Sequence, residues 1–106
     1  MTIDLARAIL QRVDELDSAF LDARARGLGA SNWQALTHGL EFSGQDTGGG
    51  CMMLIASLPD GHTLGITDGD AGFPRNTQTF WVGIMDQEGE ELLSLFSDAL
   101  RQGPQA

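Results

Sequence analysis

The chain has 106 residues, 42% of them hydrophobic, with 15 carboxylates, six arginines, no lysine and a formal net charge of −9. That length builds one core, so residues 1–106 read as a single α+β domain, and the composition is too apolar for a disordered acidic tail. The charge opposes direct binding to nucleic acid or to an anionic membrane, and no apolar run approaches the roughly 18 residues of a membrane helix.

The lone cysteine, Cys51, excludes an internal disulfide framework and fits a reducing cytoplasm. The N-terminal MTIDLARAIL lacks a cationic start before an apolar run, so it does not read as a signal peptide.

Ile3, Ala6, Ile9, Leu10, Val13, Leu16, Phe20 and Leu21 recur at steps of three and four, the stripe of a helix over 3–26. Thr2 caps its start, and Asp4 sits where the dipole favours an anion. Arg24 and Arg26 complement its end, and Gly27 or Gly29 permits a left-handed close.

Ser31 then offers a cap for an optional short helix over 32–36, with Trp33 and Leu36 turned inward. His38, Leu40 and Phe42 alternate with Gly39, Glu41 and Ser43 as on a first strand. Residues 44–50, GQDTGGG, read as a flexible loop.

Cys51 to Leu58 is a continuous apolar strand, and Pro59-Asp60-Gly61 is a tight turn. His62 to Thr67 returns as a third strand with Leu64 and Ile66 inward. Asp68 to Thr77 is a loop, and Gln78 to Asp86 a fourth strand with Phe80, Val82 and Ile84 on one face.

The last segment reads as a helix over 88–102. Leu92, Leu93, Phe96, Ala99 and Leu100 form its stripe, Glu88, Glu90 and Glu91 its first turn, and Gly103-Pro104 its stop. The expected fold is therefore α-β-β-β-β-α, a four-stranded antiparallel sheet with a long N-terminal and a C-terminal helix.

No segment carries a catalytic or metal motif, and no cofactor is implied. Gly48-Gly49-Gly50 is not a phosphate cradle, because a P-loop needs a lysine after its glycines. Asp68-Gly-Asp70-Ala-Gly72 lacks the later ligands of a calcium loop: Gly72 and Thr79 stand where an oxygen ligand and a glutamate belong. Cys51 and His62 sit on neighbouring strands but about five or more residues, or roughly 16 Å, apart along the strand. His38 and His62 are too few for a metal centre. Carboxylate pairs abound, yet no spacing defines the cleft that acid–base catalysis requires.

Two features rise above this background. Between Gly27 and Leu100 ten carboxylates face one cation, Arg75, and Asp68, Asp70, Asp86, Glu88, Glu90 and Glu91 crowd the ends of the last strands. Neighbouring sheet ends would gather them into one acidic cluster able to occupy a basic groove meant for nucleic acid.

The second feature is the sheet's other face. If both helices cover one face, Met53, Ile55, Trp81 and Met85 point away from them as an apolar patch, with Phe73 and Arg75 nearby in the preceding loop. If the helices lie on opposite faces, that patch is buried.

In size, acidity and lack of catalytic residues the chain is similar in general character to small inhibitory proteins of phages and plasmids, such as anti-CRISPR proteins. Toxin-neutralising immunity proteins and type III secretion chaperones share that character. The leading expectation is a non-enzymatic binding protein, of the anti-CRISPR or DNA-mimic type, that occludes a basic surface on a nucleic-acid-handling partner. The alternatives are a small dimeric chaperone or adaptor, a toxin-immunity protein, or, least favoured, an acid–base enzyme.

Overall fold

The computed structural model describes residues 2–48, 50–70 and 72–97. Among the described residues the chain is α+β: three helices followed by a five-stranded antiparallel sheet. The helices are α1 (Thr2–Leu16), α2 (Ser18–Gly27) and α3 (Trp33–Thr37). The strands are β1 (Ser43–Gly48), β2 (Cys51–Ser57), β3 (Thr63–Thr67), β4 (Trp81–Met85) and β5 (Glu91–Phe96), paired in sequence order as a meander.

The single helix expected over 3–26 is two helices. Asp17 breaks it: its side chain accepts a hydrogen bond from the Phe20 backbone N–H at 3.4 Å and caps α2. An aspartate that competes for backbone donors favours such a cap over a helix interior. The break rotates the stripe, so Leu16 and Phe20 stand 37% and 38% exposed rather than inward. The Thr2 cap and the Ile3 anchor rest on side chains outside the described ones.

α2 closes as expected, with Gly29 at φ +91. The Ala30 N–H returns to the Ala25 carbonyl and the Gly29 N–H to Arg26, a Schellman close. α3 forms one residue later than the sequence suggests, because Asn32 caps it at 2.7 Å from the Ala35 N–H, in place of Ser31.

Residues 38–42, expected as strand, run irregularly into β1, although Phe42 is buried as foreseen. The presumed glycine loop is itself strand: β1 is SGQDTG and pairs with β2 from Ser43 opposite Ile55 to Gly48 opposite Cys51. The fourth predicted strand starts three residues late. Asn76 accepts from the N–H groups of Gln78 and Thr79, both at 2.8 Å, and holds a turn there.

The largest correction is at the C-terminal end. The helix expected over 88–102 begins as a hairpin and β5. Asp86 accepts from Glu88 and Glu90 N–H, both at 2.9 Å, and Gly89 adopts φ +86, so the chain reverses. Residues 98–102, with Asp98, Ala99 and Leu100, and the Gly103-Pro104 stop lie outside the described residues.

One core holds the parts together. Ala6, Ile9, Leu10 and Val13 of α1, Leu21 and Ala25 of α2, and Trp33 and Leu36 of α3 pack with Leu54, Leu64, Ile66, Val82, Ile84 and Leu93. The register places those strand residues on one face, with Leu54, Ile66, Val82 and Leu95 in one row. The three described helices therefore cover the same face, while the C-terminal helix expected to share that face or lie opposite falls, from residue 98 on, outside the described residues. Among the described residues no helix is long and apolar enough to cross a membrane.

Candidate functional site

Among the described residues, the sheet face turned away from the helices follows from the same register. Met53, Thr67, Trp81 and Phe96 form one row, and Ile55, Gly65, Gly83 and Ser94 the next. Met53 and Met85 turn away from the helices with Trp81, as the alternation over residues 51–58 and 78–86 implies.

Their side chains lie flat. A Cβ on Gly83 would collide with the Trp81 ring, and one on Gly65 with the Met53 thioether. The paired glycines therefore make a shallow trough that the indole and the two methionines fill. The Trp81 indole N–H donates to Ser94 Oγ at 2.7 Å and fixes the ring across β4 and β5.

This packing leaves Trp81 only 9% exposed, so it is less available to a partner than the sequence suggests. Phe96, 51% exposed on the edge strand, is the more accessible aromatic. Sequence reasoning missed it because it stood in an expected helix; the alternation of Leu93, Leu95 and Leu92, Ser94, Phe96 was the available signal.

The strands contribute few formal charges to this face. From Ser43 and Gln45 through Met53, Ile55, Ser57, Thr63, Thr67, Trp81, Met85 and Ser94 to Phe96 every residue is uncharged. Glu91, paired with Met85 at the edge, carries the charge.

The six candidate carboxylates do not form one cluster. Asp68 and Asp70 follow β3 at one end of the sheet, and Asp86, Glu88 and Glu90 follow β4 at the other. The six residue steps along β4 from Phe80 to Asp86 span about 20 Å. The strand between them keeps the two groups apart.

Two of the six are also committed internally. Asp68 is buried, and its Oδ1 accepts from the N–H of Asp70 at 2.7 Å and of Gly72 at 3.0 Å. Its Oδ2 pairs with Arg75 at 3.4 Å. The two backbone donors, then Arg75, hold its carboxyl below the usual range. Asp86 organises the β4–β5 turn in the same way. Asp70, Glu88, Glu90 and Glu91 are exposed.

Phe73 and Arg75 part company. The Phe73 ring covers Gly44, on the helix-covered side, and packs against the core, so it does not belong to the open face. Arg75 is solvent-exposed beside Asp68.

The other candidate chemistries also find their places. Leu58 and His62 are bonded across the β2–β3 turn. That leaves Cys51 seven residues, or about 23 Å, along β2 from His62. The His62 Nδ1 lies 3.0 Å from the Pro59 carbonyl. Among the described residues no three His, Cys, Asp or Glu side chains converge as metal ligands. Comparison with protein-family models, curated proteins and solved structures finds no match to this chain.

Proposed function

We propose that this protein is a non-enzymatic binding protein that occludes a basic, nucleic-acid-binding surface of a partner protein. The observation that carries this reading is the uncharged open sheet face bordered at both ends by free carboxylates. Asp70 stands at one end, and Glu88, Glu90 and Glu91 at the other. Such a surface complements an apolar strip flanked by lysines and arginines, with the acids about 20 Å apart along the strands. The acids steer the encounter, and Met53, Ile55, Met85 and Phe96 supply the area that leaves water.

The test is capture from a lysate followed by titration of the identified protein. A lysine- and arginine-rich nucleic-acid-binding protein is expected, displaced from the chain by duplex DNA. Its affinity should fall steeply with salt and be lost in the Asp70→Asn, Glu88→Gln, Glu90→Gln, Glu91→Gln variant. Affinity untouched by these changes, or unmoved by DNA, overturns the reading.

The absence of charge across the strands favours a second reading, a homodimeric adaptor joined through the same face. A charge-free face lets two acidic copies meet with their carboxylates at the rim. Light scattering that shows a monomer at millimolar concentration rules it out.

A further inference from the structure

The described sheet has two edges, β1 and β5. β1 is polar along its length, whereas β5, ELLSLF, carries three leucines and a phenylalanine with no lysine or proline. Edge strands are normally guarded by such residues, because a row of unpaired backbone donors and acceptors recruits other chains. β5 is also open: Glu91, Leu92, Ser94 and Phe96 are exposed, Leu92 at 42% and Phe96 at 51%.

The hydrogen bonds at the end of β5 show which backbone groups point outward. The Ser97 N–H donates to the Phe80 carbonyl at 3.0 Å, and the Phe80 N–H to Ser97 Oγ at 3.0 Å. Ser97 therefore faces β4. Alternation along an antiparallel strand then turns the Ser94 N–H and C=O, and the Phe96 N–H, away from β4. Among the described residues β4 is the only strand beside β5, so these groups meet no partner strand. Pairing with β4 is regular from Leu93 to Phe96 and shifts beyond Ile84, which fixes the usable length of the edge.

On the helix side a groove of about 270 Å³ runs beside this edge, between α2 and β5. Ile84 and Leu93 form its buried floor, Ala23, Gly27 and Leu92 its exposed walls. Phe96 lies on the other face, opposite Trp81. A strand laid along β5 would send alternate side chains into the groove and onto Phe96.

Charge selects the occupant. Glu88, Glu90 and Glu91 stand exposed at the Leu92 end of the edge. Arg24 lines the groove and lies over the Phe20 ring at 5.2 Å. Three carboxylates against one guanidinium favour a cationic chain end there. A second copy of this chain, with no lysine and 15 carboxylates, complements that end poorly.

We infer that the free edge of β5 takes an extended peptide segment ending in lysine or arginine as a sixth strand, with an apolar side chain in the α2–β5 groove. In an antiparallel pairing the basic residues come at the segment's C-terminal end, beside Glu90 and Glu91. The inference rests on the proposed function for the partner's basic character, and it names how that partner docks: by backbone pairing at the edge.

The probe is the acetylated and amidated peptide TVVTLKK, titrated into the full chain. With its fourth residue opposite Ser94, its leucine falls opposite Leu93 at the groove and its lysines beside Glu91. Saturable amide shifts are expected at residues 91–97, with slowed hydrogen exchange of the Ser94 and Phe96 N–H groups as they gain acceptors. The peptides TVVTLEE, with reversed charge, and TVVPLKK, which lacks the N–H opposite Ser94, should each bind about tenfold more weakly or worse. Leu92→Lys, at an exposed position, should keep the native spectrum elsewhere and weaken TVVTLKK binding by about tenfold as well.

Equal binding of the three peptides, or unchanged affinity in Leu92→Lys, overturns the inference. So do shifts at Met53 and Met85 without slowed exchange at Ser94 and Phe96, and a dimer in light scattering that already protects those two amides. Failure of the peptide while the captured partner keeps its dependence on salt and carboxylates sinks the edge alone. Peptide pairing as expected, with a partner indifferent to the carboxylates, overturns the proposed function and leaves the edge site standing.

Discussion

Asp68 and Asp14 are both carboxylates with restricted solvent access, and their surroundings push them in opposite directions. Asp68 accepts two backbone N–H bonds and faces Arg75, so its ionised form is favoured. Asp14 has an oxygen with no donor and acids beside it, so its ionised form is disfavoured.

The stability consequence of Asp68 has a definite sign. Its folded pKa is depressed, so its contribution is present above the unfolded value of about 3.9 and is lost as pH falls through the folded value. Asp68→Asn is expected to cost about 1 kcal/mol at neutral pH, because charge-assisted bonds to the loop become neutral ones. Urea unfolding of both proteins at neutral pH and below about pH 4 checks this. The gap should narrow on acidification, and a constant gap would mean that the lost charge is not its source.

At the level of elements, the β4–β5 hairpin is where the chain departs most from its sequence pattern. Gly89 sits at φ +86, and a Cβ there would meet nothing within 4 Å. Gly89→Ala therefore tests conformation without a clash, and about 1 kcal/mol of destabilisation is expected. Gly27, at the last residue of α2, has equally open space and no positive φ. Gly27→Ala should instead stabilise by up to about 1 kcal/mol. Thermal melts of the two variants should move in opposite directions, and a shared direction would contradict the assigned turn.

The same hairpin shows why part of the fold was legible in the sequence and part was not. β2, its Pro59–Gly61 turn and β3 were readable because apolar runs and turn residues agree there. β5 was not, because ELLSLF satisfies a helical stripe and a two-residue alternation alike. Only the Asp86–Gly89 turn, with its left-handed glycine, decides between them.

β1 has no apolar side chain at all and exists because β2 offers it a partner. Met53, Trp81 and Met85 share one face as the alternation implies, but the carboxylates are not gathered, because β4, a strand already legible over 78–86, carries 86–91 to the sheet end opposite Asp68 and Asp70. Asp14 gave no sequence signal, since its unmet oxygen arises from the packing of three helices.

Across the whole molecule the excess of acid is a repulsion that folding does not relieve. Between residues 27 and 100 ten carboxylates share Arg75, and Arg75 pairs with the buried Asp68. Of the exposed ones, Asp70 stands at one end of the sheet and Glu88, Glu90 and Glu91 at the other, about 20 Å apart, roughly twice the Debye length of about 10 Å at 0.1 M salt. Repulsion between the ends is therefore screened at moderate salt, whereas repulsion within Glu88, Glu90 and Glu91 persists to higher concentration.

Raising salt from about 20 mM to about 500 mM should lift the thermal midpoint by a few degrees, with sodium and potassium equivalent because the effect is screening. The Glu88→Gln, Glu90→Gln, Glu91→Gln variant should start higher at low salt and gain less. A midpoint that ignores salt would show that these carboxylates do not strain the fold. The charge would then cost the free protein nothing, and the salt dependence of a complex would report the partner's surface alone.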